Sequence, residues 1–133
     1  MISVGTQLPE RVFLINRALL RQYADASGDQ NPIHKDETFA INVGLPNVIA
    51  HGMLTMGLVA TYISDWAGSS ANVKEFSARF TKPVIVPEGV DVDLTVNATV
   101  AEVFADGRVR LDLSATSTGV KVLGMAKAIV VVK

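Results

Sequence analysis

The second half of the chain alternates. Val90, Val92, Leu94, Val96, Ala98 and Val100 are separated by Asp91, Asp93, Thr95, Asn97 and Thr99, the period of two of a strand with one buried face. Asp106-Gly107 then gives a hairpin signal, and Val109, Leu111, Leu113 and Ala115 repeat the alternation. Gly119 marks another turn before a last strand over residues 120–132. That strand reads as apolar on both faces, with Leu123, Met125, Ile129 and Val131 set against Val122, Ala126, Val130 and Val132. It therefore asks for cover on both sides or a neighbour along its edge. Upstream, Phe76, Ala78 and Phe80 alternate with polar residues as far as Pro83.

The first half follows the helical period instead. Val12 to Ile15 is a short apolar run that fits an edge strand. Asn16 is an N-cap for a helix from Arg17 with Leu19, Leu20, Tyr23 and Ala24 at helical spacing, and Gly28 is its stop. Pro32 keeps residues 29–34 in a loop. A second, short helix runs from Asp36 to Val43, and a third from Ala50 or His51 to Ala67. The third is apolar nearly all round, as a buried helix is. Gly52 and Gly57 within it each cost up to about 1 kcal/mol relative to alanine, so something approaches that backbone closely. A buried helix followed by a sheet with one apolar face predicts an α+β fold in which a long antiparallel sheet wraps around the helix. The order of elements fits a single hot-dog domain over residues 1–133; periodicity alone also allows other α+β sandwiches.

Composition narrows the function classes. The formal net charge is −1, without the basic footprint of a nucleic-acid binder. There is no cysteine, which excludes disulfides, thiolate metal sites and thiol nucleophiles. The first residues lack the pattern of a signal peptide, and the apolar run after Gly52 is broken by Thr55, Thr61, Ser64 and Asp65 before it reaches a span's length. A cytoplasmic location and no membrane span are expected. The mean hydropathy of +0.33 points to apolar surface buried against another chain.

The chemistry-bearing stretch is residues 23–57, which holds both histidines, His34 and His51. A loop stiffened by Asn31-Pro32 sets Asp29 and His34 five residues apart and can aim a carboxylate and an imidazole at one point. Such a pair suits adding or removing water across a double bond beside a carbonyl. The enolate formed on the way needs donors, which free amides at a helix N-terminus supply; Gly52 is the candidate. Each signal alone has a plainer reading: Asp-x-Asn-Pro is commonly a turn, His51 fits a helix cap, and Tyr23 and Trp66 fit the core. Asp29, His34, Asp36 and His51 are metal-ligand types without a metal-ligand spacing, so neither metal nor cofactor is expected.

Ser27-Gly28-Asp29-Gln30-Asn31-Pro32-Ile33-His34 resembles the hydratase signature of the MaoC-like (R)-specific hydratase and dehydratase family. Ala50-His51-Gly52-Met53-Leu54-Thr55-Met56-Gly57 resembles the start of that family's central helix, and Arg79 to Val84 with Val86-Pro87 resembles the strand and turn after it. Within the family the chain is most similar to the catalytic B subunit of actinobacterial (3R)-hydroxyacyl-acyl-carrier-protein dehydratases, which pairs with a related hot-dog subunit. The resemblance implies that Asp29 and His34 are the catalytic pair and that the Gly52 amide binds the thioester oxygen. It places Asn31, His51, Met53 and Gly57 on the substrate side. Some hydratases of the family carry serine where Gly57 stands, and its absence leans towards the dehydratase branch.

The expected partners are an acyl thioester on acyl carrier protein or coenzyme A and a second hot-dog subunit, as a homodimer or heterodimer. An (R)-specific enoyl-CoA hydratase is the nearest alternative. A hot-dog thioesterase needs a carboxylate on the central helix, which residues 52–60 do not offer. A non-catalytic acyl-binding subunit has no need of both Asp29 and His34.

Overall fold

The computed structural model describes residues 2–132. Strand β1 (Arg11–Ile15) leads into helix α1 (Arg17–Ser27). Asn16 caps that helix by accepting the Leu19 amide at 2.9 Å, and Gly28 ends it at φ 80°. Residues 32–34 tighten into one 3₁₀ turn rather than staying open loop. Pro32 starts that turn, where its missing N–H costs nothing, and Asn31 accepts the Ile33 amide at 3.2 Å. Helix α2 (Glu37–Asn42) is capped by Asp36, which accepts the Phe39 amide at 3.1 Å. Helix α3 (Gly52–Ala67) ends at Gly68.

Strands β2 (Val73–Phe80), β3 (Val92–Val103), β4 (Arg108–Ser117), β5 (Val120–Lys121) and β6 (Leu123–Val131) complete the chain. All pairings are antiparallel, in the order β1-β3-β4-β6-β2, with β5 folded onto β4. The sheet presents Val92, Leu94, Val96, Ala98 and Val100 from β3 and Val109, Leu111, Leu113 and Ala115 from β4 to the core, as the alternation requires. α3 packs across β2, β3 and β6 on that face, which is the expected hot-dog arrangement. Among the described residues, no helix is long and apolar enough to cross a membrane.

Two expectations change. The last strand breaks at Val122, and β6 has neighbours along both edges, so the open edges belong to β1 and β2. Ser77 pairs with Lys127 and Arg79 with Gly124, so β6 carries one extra residue and bulges at Met125, whose φ is 48°. The bulge resets the alternation. Leu123 and then Ala126, Ala128 and Val130 face inward, while Met125 is 65% exposed. The apparent two-faced strand is thus one buried face read through a register slip. The second change concerns α3, which buries Leu54, Thr55, Val59, Tyr62 and Ile63 but leaves Met53 61% exposed. Its apolar circumference exceeds what this chain covers.

The segment between α2 and α3 is tied in by backbone hydrogen bonds. Ile49 N–H donates to Ile33 O at 3.1 Å, Ala50 N–H to Val84 O at 2.9 Å and Val86 N–H to Val48 O at 2.8 Å. Arg17 reinforces the same region from below. Its buried guanidinium donates to Val86 O, Asn47 Oδ1, Glu88 Oε2 and Glu37 Oε1 at 2.6, 2.9, 3.0 and 3.3 Å. Nothing local marks Arg17 for this role, since an arginine opening a helix faces the wrong end of its dipole.

Candidate active site

The 29–34 loop folds on itself through its own polar side chains. The Asp29 amide donates to Ser27 Oγ at 3.1 Å, and Asp29 Oδ1 accepts the Asn31 amide at 3.2 Å, a short-range turn that fixes the carboxylate over the loop. Gln30 bridges Asp25 and Lys35 at 3.0 and 2.7 Å. The 3₁₀ turn then drops His34 inward, where it is 7% exposed, while Asp29 stays in solvent.

The two imidazoles meet beneath the loop. His34 and His51 stack with ring centroids 3.8 Å apart and planes 22° apart. Donor atoms of Asp29, His34 and His51 all lie within 4.8 Å of one another. A carbonyl can only accept, so each histidine's hydrogen-bond partner fixes its tautomer. His34 donates Nδ1–H to Ile49 O at 2.7 Å, which leaves its Nε2 lone pair free as a base. His51 donates Nε2–H to Asp29 O at 3.1 Å, and its buried Nδ1 has no partner. Burial, aided by the charge of His34, pushes the His51 pKa below its ordinary value; the Asp29 carbonyl and carboxylate only partly oppose this.

These donors suit proton transfer better than metal binding. Imidazole lone pairs lie in the ring planes, and two nearly parallel stacked rings do not converge them on one ion.

His51 stands at the N-cap of α3 but makes no capping hydrogen bond with its side chain. The Leu54 and Thr55 amides donate to its carbonyl at 3.1 and 3.2 Å, and Gly52 precedes them as the first helical residue, whose amide has no intrahelical acceptor. Phe80 lies against Gly52: a β-carbon there would stand 3.0 Å from Cζ and 3.1 Å from Cε1 of the ring. Yet Phe80 is 56% exposed, because its outer side fronts a groove of about 260 Å³ lined by Ile49, Ala50, Thr81, Lys82 and Pro83.

The fold therefore brings Asp29, His34, His51 and Gly52 to one end of α3. Asn31 uses its side-chain oxygen inside the loop. Met53 faces outward on the first turn, and Gly57 lies about 6 Å further along the helix, exposed, with open space where a side chain would be. Sequence reasoning missed Phe80, whose alternation marked only a strand. It also took Tyr23 for plain core, although its ring packs edge-on against His51 at 4.8 Å.

Comparison with known proteins places the chain in a family. A model of the family described as "MaoC like domain" matches residues 5–118. The chain is 40% identical over 79 residues to 3-hydroxyacyl-thioester dehydratase X of Mycobacterium tuberculosis, a match covering 59% of this chain and 27% of that protein. It thus spans about a quarter of that relative's length. A solved structure titled "MaoC-like dehydratase" superposes with a TM-score of 0.96 at 35% identity, over 99% of this chain and 41% of the other. A chain of the ChsH1–ChsH2 complex from Mycobacterium tuberculosis superposes with a TM-score of 0.86 at 25% identity, covering 100% of both. With a family model that spans most of its length and a hot-dog fold around the matching motifs, the chain belongs to the MaoC-like domain family.

Proposed function

We propose that the protein is a hydro-lyase that interconverts (3R)-3-hydroxyacyl and trans-2-enoyl thioesters, with Asp29 and His34 moving the protons. The observation that carries the reading is the free Nε2 of a buried His34 beside the Asp29 carboxylate at the N-terminus of α3. In the hydration direction, the Asp29 carboxylate takes a proton from water and the hydroxide oxygen bonds to C3. The π pair moves towards C1, so negative charge collects on the thioester oxygen at the Gly52 amide. Protonated His34 then delivers its Nε2 proton to C2. The proton gained by exposed Asp29 then passes back to His34 Nε2 by way of solvent, which restores both groups, and dehydration runs the same steps backwards.

The groove beside Phe80 suits the thioester arm, and Asn31, Met53 and Gly57 remain candidates for substrate contact. The similarity to a 3-hydroxyacyl-thioester dehydratase favours a 3-hydroxyacyl thioester as substrate, and a role in fatty acid elongation is part of this proposal. The open edge of β2 and the uncovered side of α3 favour pairing with a second hot-dog subunit, as does the likeness to a chain of a two-component complex.

The test is loss of enoyl absorbance on adding the protein to a trans-2-enoyl thioester, with carrier-protein and coenzyme A forms compared. Asp29→Asn and His34→Ala should fold and each lose at least ~100-fold in turnover. Near-parental rates in either folded variant overturn the assignment.

A further inference from the structure

His51 is a buried titratable group that the proposed proton transfers do not use, yet it touches both residues that carry them. It is 1% exposed. Its ring stacks on His34 at 3.8 Å, its Nε2–H holds the Asp29 carbonyl at 3.1 Å, and the Tyr23 edge closes its other side at 4.8 Å. The Asp29 side chain has no buried anchor of its own; its carboxylate bonds only to the Asn31 amide of the same exposed loop. The Ile33 carbonyl ties the far end of the loop to Ile49, and the link from His51 to the Asp29 carbonyl is the deep attachment of its near end.

We propose that His51 is a positioning residue, which through one N–H donor and one stacked face holds Asp29 and His34 in register for proton transfer. The proposal rests on the dehydratase reading above, which names those two residues. An imidazole suits the task because one flat group offers an in-plane donor to the loop and a face to its neighbour. Its buried Nδ1 has no acceptor among the described residues, so a second proton on the ring would go unpaired. A displacement of about 1 Å in such a pair costs on the order of 100-fold in rate, so an anchor remote from the reacting atoms can matter.

The experiment is a double-mutant cycle. His51→Met keeps bulk without the donor, and His51→Gln keeps a nitrogen donor at the reach of Nε2. His51→Met should lower kcat by roughly 10- to 100-fold with KM within a few-fold, and His51→Gln should recover most of that loss. On an Asp29→Asn background, His51→Met should cost little further kcat, while its effect on Tm is the same in both backgrounds. Equal kcat losses in both backgrounds, tracking Tm, mean a packing role and overturn the proposal. If His51→Met does not fold, His51→Asn replaces it; its amide falls short of the Asp29 carbonyl, so activity equal to His51→Gln overturns the proposal as well. Failure of the dehydratase reading looks different: Asp29→Asn is then as active as the parent, or no thioester is turned over. In that event the Asn31 and His34 amide NMR shifts decide. They should move in the donorless variant and return in His51→Gln, and unmoved shifts overturn the positioning role.

Discussion

His51 carries a pH dependence that can be read without substrate. Its pKa in the fold lies below the ordinary 6.5, chiefly because of burial, with His34 stacked against it. The groups facing it are His34, the Asp29 carbonyl and carboxylate, and the Tyr23 ring. The unfolded chain therefore binds a proton that the fold resists, so stability is full above pH 6.5 and falls as pH drops through it. Urea midpoints between about pH 7.5 and 5.5 should decline in the parent and decline less steeply in His51→Gln. An unchanged slope would show that His51 protonates freely in the fold. At this scale the sequence displayed Asp29 and His34 because one proline-stiffened loop contains both. It could not display the stacking partner, since that contact depends on tertiary packing.

Among the elements, α3 begins where two demands meet on one glycine. Gly52 leaves room for the Phe80 ring, which a β-carbon would meet at 3.0 Å, and under the proposed function also for a thioester oxygen. Gly52→Ala should change stability by less than about 1 kcal/mol, because a half-exposed ring can shift and alanine favours helix. Turnover should nonetheless fall at least ~10-fold. Adding Phe80→Leu separates the demands: restored turnover would mean that the glycine serves the phenylalanine alone. Element limits were legible where local chemistry sets them, as at Asn16, Gly28 and Asp36. The alternation of β3 likewise became one buried face from Val92 to Val100. The β6 bulge was not legible, because a methionine at positive φ leaves no compositional mark and only the pairing with β2 exposes the extra residue.

For the whole molecule, part of the excess apolar surface lies around the site. Met53 and Phe80, 61% and 56% exposed, flank the start of α3, and β2 offers an unpaired edge beside them. The purified chain should therefore scatter light as a dimer or larger assembly. A 14.2 kDa monomer that keeps full specific activity on dilution would refute this. A chain that stays soluble only when co-expressed with a related subunit would instead establish the heterodimer.

The stitching of residues 48–50 between the 31–34 turn and residues 84–86 uses main-chain groups only. The hydrogen bond that orients His34 likewise goes to the Ile49 carbonyl, whatever side chain residue 49 carries. Ile49 and Ile85 can consequently mutate among apolar types while those bonds persist, although Ile49 lines the groove and Ile85 is 37% exposed. Drift at these positions can reshape what the groove admits without disturbing the imidazole, so substrate range and proton chemistry are free to evolve separately.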